Sequence, residues 1–160
     1  MDMSSPKMSA QARQREAVDT VRRRRAELRE TLDALERALA APGADRAVVW
    51  GERLHAAVDR LATEFALHVE VTEGADGLHQ TILDGDLRLA NQVAALVHEH
   101  TTIAAEIAKL AAASEAPVGP SDVAGVREQG TAVLGRIVRH RQRGADLIYE
   151  AYATDIGGGD

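Results

Sequence analysis

Apolar residues recur along this chain in steps of three and four, the period of a helix with one buried face. Four long stretches carry the pattern. Residues 9–40 contain no glycine or proline and set Val18, Val21, Leu28, Leu32, Leu35 and Leu39 on one stripe, until "APGAD" breaks the helix. Residues 45–73, with Asp45 as the expected N-cap, set Leu54, Val58, Leu61 and Phe65 on a second stripe and end at "EGADG". Residues 86–113 carry Leu89, Val93, Leu96, Ile103, Ile107 and Leu110, and residues 121–155 carry Val133, Ile137, Leu147 and Ala151. "GLHQTILDGD" between the second and third stretches reads as a short connecting turn of helix, and "SEAPVGPSD" as a connector rich in breakers. Four such helices joined by short connections predict an all-α, up-down-up-down four-helix bundle. It should span residues 9–156 as one domain, between a disordered start at 1–8 and a flexible tail at 157–160.

Each stripe is interrupted once by a nitrogen-bearing side chain. Arg25 falls on the register of the first stripe, His68 follows Phe65 on the second, His100 sits inside the third in "QVAALVHEHTTIAAEIAKL", and His140 inside the fourth, with Gly144 one turn on. Counted from the loops at one bundle end, Arg25 and His68 lie about 27 and 37 Å along their helices and His100 and His140 about 21 and 30 Å along theirs. Loop lengths and tilt therefore decide whether the four meet. One buried imidazole can be satisfied by a backbone carbonyl or a water. Three on three separate seams point instead to a metal or cofactor site in the bundle interior.

Composition narrows that chemistry. The chain has 160 residues, enough for one core, and its hydrophobic content of 45% with only 2% aromatics favours packed helices over strands. There is no cysteine, so a metal must be held by histidine and carboxylate, ligands that suit iron, zinc or manganese. A formal charge of −6 argues against a nucleic-acid partner, and the "RRRR" run at Arg22 to Arg25 fans around its helix beside Glu27, Glu30 and Asp33. No stretch reads as a signal peptide or a membrane span, which makes the cytoplasm the expected location and excludes a membrane partner. Nucleophile elbow, phosphate-binding loop and cysteine nucleophile are all missing from the sequence, so a binding or sensing role is expected over a dedicated enzyme.

"FALHVEVTEG", "LVHEHTTI" and "VRHRQRGADLIYEAY", in that order and helix spacing, resemble the hemerythrin-like (HHE cation-binding) proteins over about residues 15–156. Members of that family are four-helix bundles that typically hold two non-haem irons and bind dioxygen. The resemblance implies non-haem iron as the cofactor and a small diatomic or peroxide ligand as the partner. This chain departs from the family's ligand set at several positions. Arg25 stands where the first helix usually supplies a histidine. Thr72 stands four residues after His68 where a glutamate is usual, with Glu73 next. Ala104 replaces the second histidine of the third helix, and Gly144 and Ala145 replace the carboxylate that usually follows the fourth-helix histidine.

Fewer than two ions are therefore expected: one metal on His68, His100 and His140, with a carboxylate from Glu73 or Glu64. Glu64 shares a helix side with His68, whereas Glu73 lies about 140° around an ideal helix from it. Arg25 would steady an anionic ligand. Zinc fits the same donors. Haem is a further alternative, with His140 as axial ligand and Gly144 leaving room for the ring, although a glycine inside a helix more simply marks close helix packing; another alternative is a metal-free interaction module whose histidines only pack. Tyr149 and Tyr152 are placed where the last helix can bury a ring, Tyr152 lining the cavity with Ile148. His98 is expected on the exposed side, as is Glu99, although a glutamate before that histidine also occurs in the hemerythrin-like family; His55 flanks the second seam and His79 lies in the connector, both peripheral, with His79 folded back over the bundle end as the alternative.

Overall fold

The computed structural model describes residues 8–117 and 119–153. Within them the chain is all-helical, with no strand: α1 (Ala10–Ala40), α2 (Ala47–Glu73), α3 (Leu78–Gly85), a single 3₁₀ turn (Leu87–Leu89), α4 (Ala90–Ser114) and α5 (Pro120–Ala153). The four long helices pack together, α1 on α2, α2 on α4, α4 on α5 and α5 back on α1, while α3 lies against α1 and α2. No helix of the described residues is long and apolar enough to cross a membrane. The expected disordered start, apart from Met8, and the flexible tail lie outside the described residues, as does the expected end of the last helix at residue 155.

The helix boundaries follow local chemistry. Ser9 caps α1 by accepting a hydrogen bond from the Ala12 N–H at 3.2 Å. Asp45 does not cap α2. The preceding turn closes with the Arg46 N–H on the Gly43 carbonyl, so Arg46 takes the cap position without a side-chain bond. That turn needs Gly43, because a Cβ there would stand 2.7 Å from the Trp50 ring. Arg127 of α5 closes the same end. It donates to the Leu39 and Ala41 carbonyls at the α1 C-terminus, at 2.7 and 3.0 Å, with its guanidinium 5.5 Å from the Trp50 ring centre. The third long helix starts at Ala90, later than its apolar pattern predicts, because Asp86 accepts from the Arg88 N–H and nucleates a 3₁₀ turn first. Pro120 opens α5 at the position where its missing N–H costs nothing.

The inward stripes form two apolar clusters. The larger joins Leu28 to Leu39 of α1, Leu54 to Phe65 of α2, Ile103 to Leu110 of α4 and Val133 with Ile137 of α5. The smaller joins Val21, Leu78, Ile82, Leu89, Val93, Leu96 and Leu147. On α1, α4 and α5 the boundary between the clusters falls at Arg25, His100 and His140. On α2 it falls at His68, just past Phe65. A polar layer thus separates two apolar regions of one bundle.

Candidate metal centre

Three helices aim one imidazole each into that layer. His68 Nε2 lies 3.3 Å from His140 Nε2 and 3.3 Å from His100 Nε2, and one nitrogen from each ring falls within 4.8 Å of the other two. All three side chains are buried, at 6%, 3% and 3% exposure for His68, His100 and His140. Phe65, one turn before His68, floors the group with ring centres 5.7, 5.9 and 6.3 Å from His68, His100 and His140.

Burial first, and then the neighbouring rings and Arg25, push the histidines far below their ordinary value of 6.5. His68 falls to about 3, from burial and then His100, His140, Arg25 and His79. His100 falls to about 3, from burial and then His140. His140 falls to about 4, from burial and then Arg25. At neutral pH all three rings are uncharged and carry a free nitrogen lone pair, the form that binds a metal.

The donor set passes a geometric test of fit. Nitrogen bonds of 2.0–2.1 Å at a tetrahedral angle put neighbouring donor atoms roughly 3.3–3.4 Å apart, and the two pairs that include His68 are separated by 3.3 Å. Three imidazoles also leave at least one coordination position without a protein ligand.

Two carboxylates sit behind the rings. His140 Nδ1 donates to Glu99 Oε2 at 2.7 Å, and the other oxygen of Glu99 pairs with Arg143. His100 Nδ1 lies 3.2 Å from Glu73 Oε1, within reach but off the line of a hydrogen bond. Glu73 therefore faces α4 from the end of α2, on the far side of His100 from the cluster, and not alongside His68. His68 Nδ1 is buried without a hydrogen-bond partner. Thr72, one turn beyond, returns its hydroxyl to the His68 carbonyl at 2.9 Å.

A cavity of about 20 Å³ adjoins the cluster, lined by all three histidines together with Arg25, His79, Arg141, Gly144 and apolar residues of the smaller cluster. Arg25 crosses from α1 to α5 and donates from Nη2 to the Arg141 carbonyl at 2.7 Å. A Cβ on Gly144 would stand 3.2 Å from that same Nη2, so the glycine makes way for the guanidinium.

Several expectations change. Glu99 is not on the exposed side; it is half-buried and bonded to the cluster, because α4 turns it toward α5. Of the two places expected for His79, the peripheral one is not taken: the ring folds inward, 6% exposed and stacked on His100, ring centres 5.9 Å apart and planes 5° apart. Tyr152 does not line the cavity, lying one turn past Ile148 against the smaller cluster, and Tyr149 is 76% exposed. Glu64 is directed toward Arg24, 4.0 Å away, and does not join the group. His98 is exposed, as expected, and His55, beside the second seam, ties α2 to α4 through Ser114 at 2.9 Å, a contact the sequence did not announce. Periodicity could not have found His79 or Glu99, since one lies in a connector and the other flanks a stripe.

No protein family, curated protein or solved structure matches this chain.

Proposed function

We propose that the chain is a diverged, hemerythrin-like, up-down-up-down bundle acting in the cytoplasm. In this reading it holds one divalent ion, iron, on His68, His100 and His140, and binds a small ligand such as dioxygen, nitric oxide or peroxide. The observation that carries this is the convergence of three neutral, buried imidazole nitrogens from three helices, 3.3 Å apart in two of the pairs. Lone pairs that close repel one another unless a cation or a shared proton lies between them. Glu99 supports the same reading: an imidazole that donates its Nδ1–H to a carboxylate has Nε2 free as a ligand, with fixed ring orientation and raised basicity. Glu73 serves His100 more loosely and is a partner of the ring rather than of the ion. The ion would supply Lewis acidity and, as iron, redox chemistry. The protein's own residues hold the rings, exclude bulk water and leave one small space beside them.

Zinc satisfies the same donors, and metal analysis separates the two. The haem alternative finds no support, because the space beside Gly144 holds the Arg25 guanidinium and the cavity of about 20 Å³ is far too small for a macrocycle. The metal-free module keeps one observation in its favour. His68 Nε2–H can be shared between His140 and His100, which leaves a bare acceptor at the unpartnered Nδ1; metal ligation by Nε2 would leave an orphaned N–H there, the rarer of the two.

Ferrous protein prepared without oxygen and then exposed to nitric oxide tests the functional reading. An EPR signal that requires both iron and nitric oxide, and is lost in the triple variant His68→Ala, His100→Ala, His140→Ala, is the expected result. Full thermal stability after exhaustive chelation, with no such signal, would support the metal-free module instead.

A further inference from the structure

The cavity beside the three histidines has an uncompensated positive wall. Two arginines line it, Arg25 from α1 and Arg141 from α5, and no acidic residue does. Among the described residues neither arginine has a carboxylate oxygen within 4.0 Å; Arg141 and Arg22 disfavour the charge on Arg25, and Arg29 disfavours that on Arg141. Asp33 alone favours the charge on Arg141. Arg141 Nε is buried with no hydrogen-bond partner, and so is Nδ1 of His79, a side chain more than nine-tenths buried on the same wall. Of the two nearby acids, Glu99 is committed to His140 and Arg143, and Glu73 stands behind His100, so neither reaches the cavity.

A divalent ion among the histidines would add two more positive charges to a wall that already carries two. Like charges held together in a low-dielectric interior require a counter-charge, and the chain places none in this space. We propose that the cavity is an anion site: the ligand taken beside the three histidines is a small inorganic anion of one to three heavy atoms, held against the Arg25 guanidinium. Arg25 is suited to this as a permanently charged fork of donors, anchored through one nitrogen on the Arg141 carbonyl with its others available. Gly144 belongs to the same device, because any side chain there would crowd that guanidinium. The inference rests on the three-histidine metal reading and narrows its ligand from small molecules in general to anions.

The test uses the full chain loaded with cobalt(II), whose visible bands report the ligands around it, and azide as the probe. Cobalt stoichiometry and helical circular dichroism are measured first, then azide is titrated into wild type, Arg25→Lys and Arg25→Met. The expected result is equal or tighter cobalt binding in Arg25→Met, from loss of a like charge, with azide affinity about tenfold to a hundredfold weaker, the order for one lost hydrogen bond to a charged group. Arg25→Lys falls between. A merely structural arginine would weaken cobalt and azide together. Should Arg25→Met lose its helical signal, Arg25→Gln carries the comparison. Cobalt uptake with azide affinity equal in all variants, or with no azide binding at all, overturns the anion site alone. No cobalt uptake by wild type overturns it together with the metal reading.

Discussion

The two sides of His100 on α4 show how one helix serves two purposes. Toward Ser114, Ile103, Ile107 and Leu110 enter the larger apolar cluster, built from aliphatic and aromatic side chains whose fit sets stability. At His100 itself, the same register delivers an imidazole into a layer of four histidines and two arginines, where burial strips the charge from the rings. The stripe is continuous in geometry but not in chemistry. The first region makes the fold, and the second is a local destabilisation that the first can carry.

That contrast can be broken most forcefully at Phe65, which belongs to both regions. Phe65→Ala removes the floor of the histidine layer and a fully buried core ring, and should cost about 3–5 kcal/mol in denaturant unfolding. By comparison His68→Leu should change the stability of the metal-free protein by only about 1 kcal/mol, in either direction, because an apolar group replaces a buried imidazole with an unpartnered nitrogen. It should nevertheless abolish metal binding. A large loss of metal-free stability in His68→Leu would mean that the histidine layer is itself part of what holds the bundle together.

Acid sharpens the same comparison. His68, His79, His100 and His140 have folded-state values pushed down to about 3 or 4 from an ordinary 6.5. Between those limits the unfolded chain binds protons that the folded chain does not, so stability rises with pH across the window. It is fully present above about 6.5 and lost as pH falls through the folded values. Urea midpoints of the metal-free protein should therefore drop between pH 7 and pH 5, and drop less when His68 and His100 are leucine. A flat profile would mean that the rings are solvated.

Glu99→Gln removes the carboxylate from His140 Nδ1 and should weaken metal binding about tenfold to a hundredfold in a competition titration. Glu73→Gln should do less, since Glu73 stands off the hydrogen-bonding line of His100. Equal effects would put the two carboxylates on the same footing. The smallest contrast is between two glycines of α5. Gly130→Ala drives a Cβ to 2.6 Å from Leu39 in the larger cluster and should cost about 1–3 kcal/mol. Gly144→Ala meets only the end of Arg25 at 3.2 Å, so the gain in helix propensity offsets the shift and thermal melts should differ by less than about 1 kcal/mol.

The histidine layer was legible in the sequence because helical period is a strong signal, and His68, His100 and His140 each occupy a stripe position. Its surroundings were not. Glu99 precedes His100 by one residue, about 100° around the helix, and only the packing of α4 on α5 turns that sideways direction into a contact with His140. His79 lies in the short connecting helix α3, whose eight residues are too few to establish a stripe. Gly144 invited a reading as space for a ring because a missing side chain says nothing about what fills its place, here a guanidinium from another helix. Asp45 carries the right residue type for a cap, but a turn closed by backbone atoms set the helix start one residue later.

The most direct measurement is the metal content of the full chain after anaerobic equilibrium dialysis against limiting ferrous ion, beside the variant with His68, His100 and His140 all replaced by alanine. The account predicts one iron per chain in the wild type and none in the variant. Equal content in the two proteins, or none in either, would contradict it.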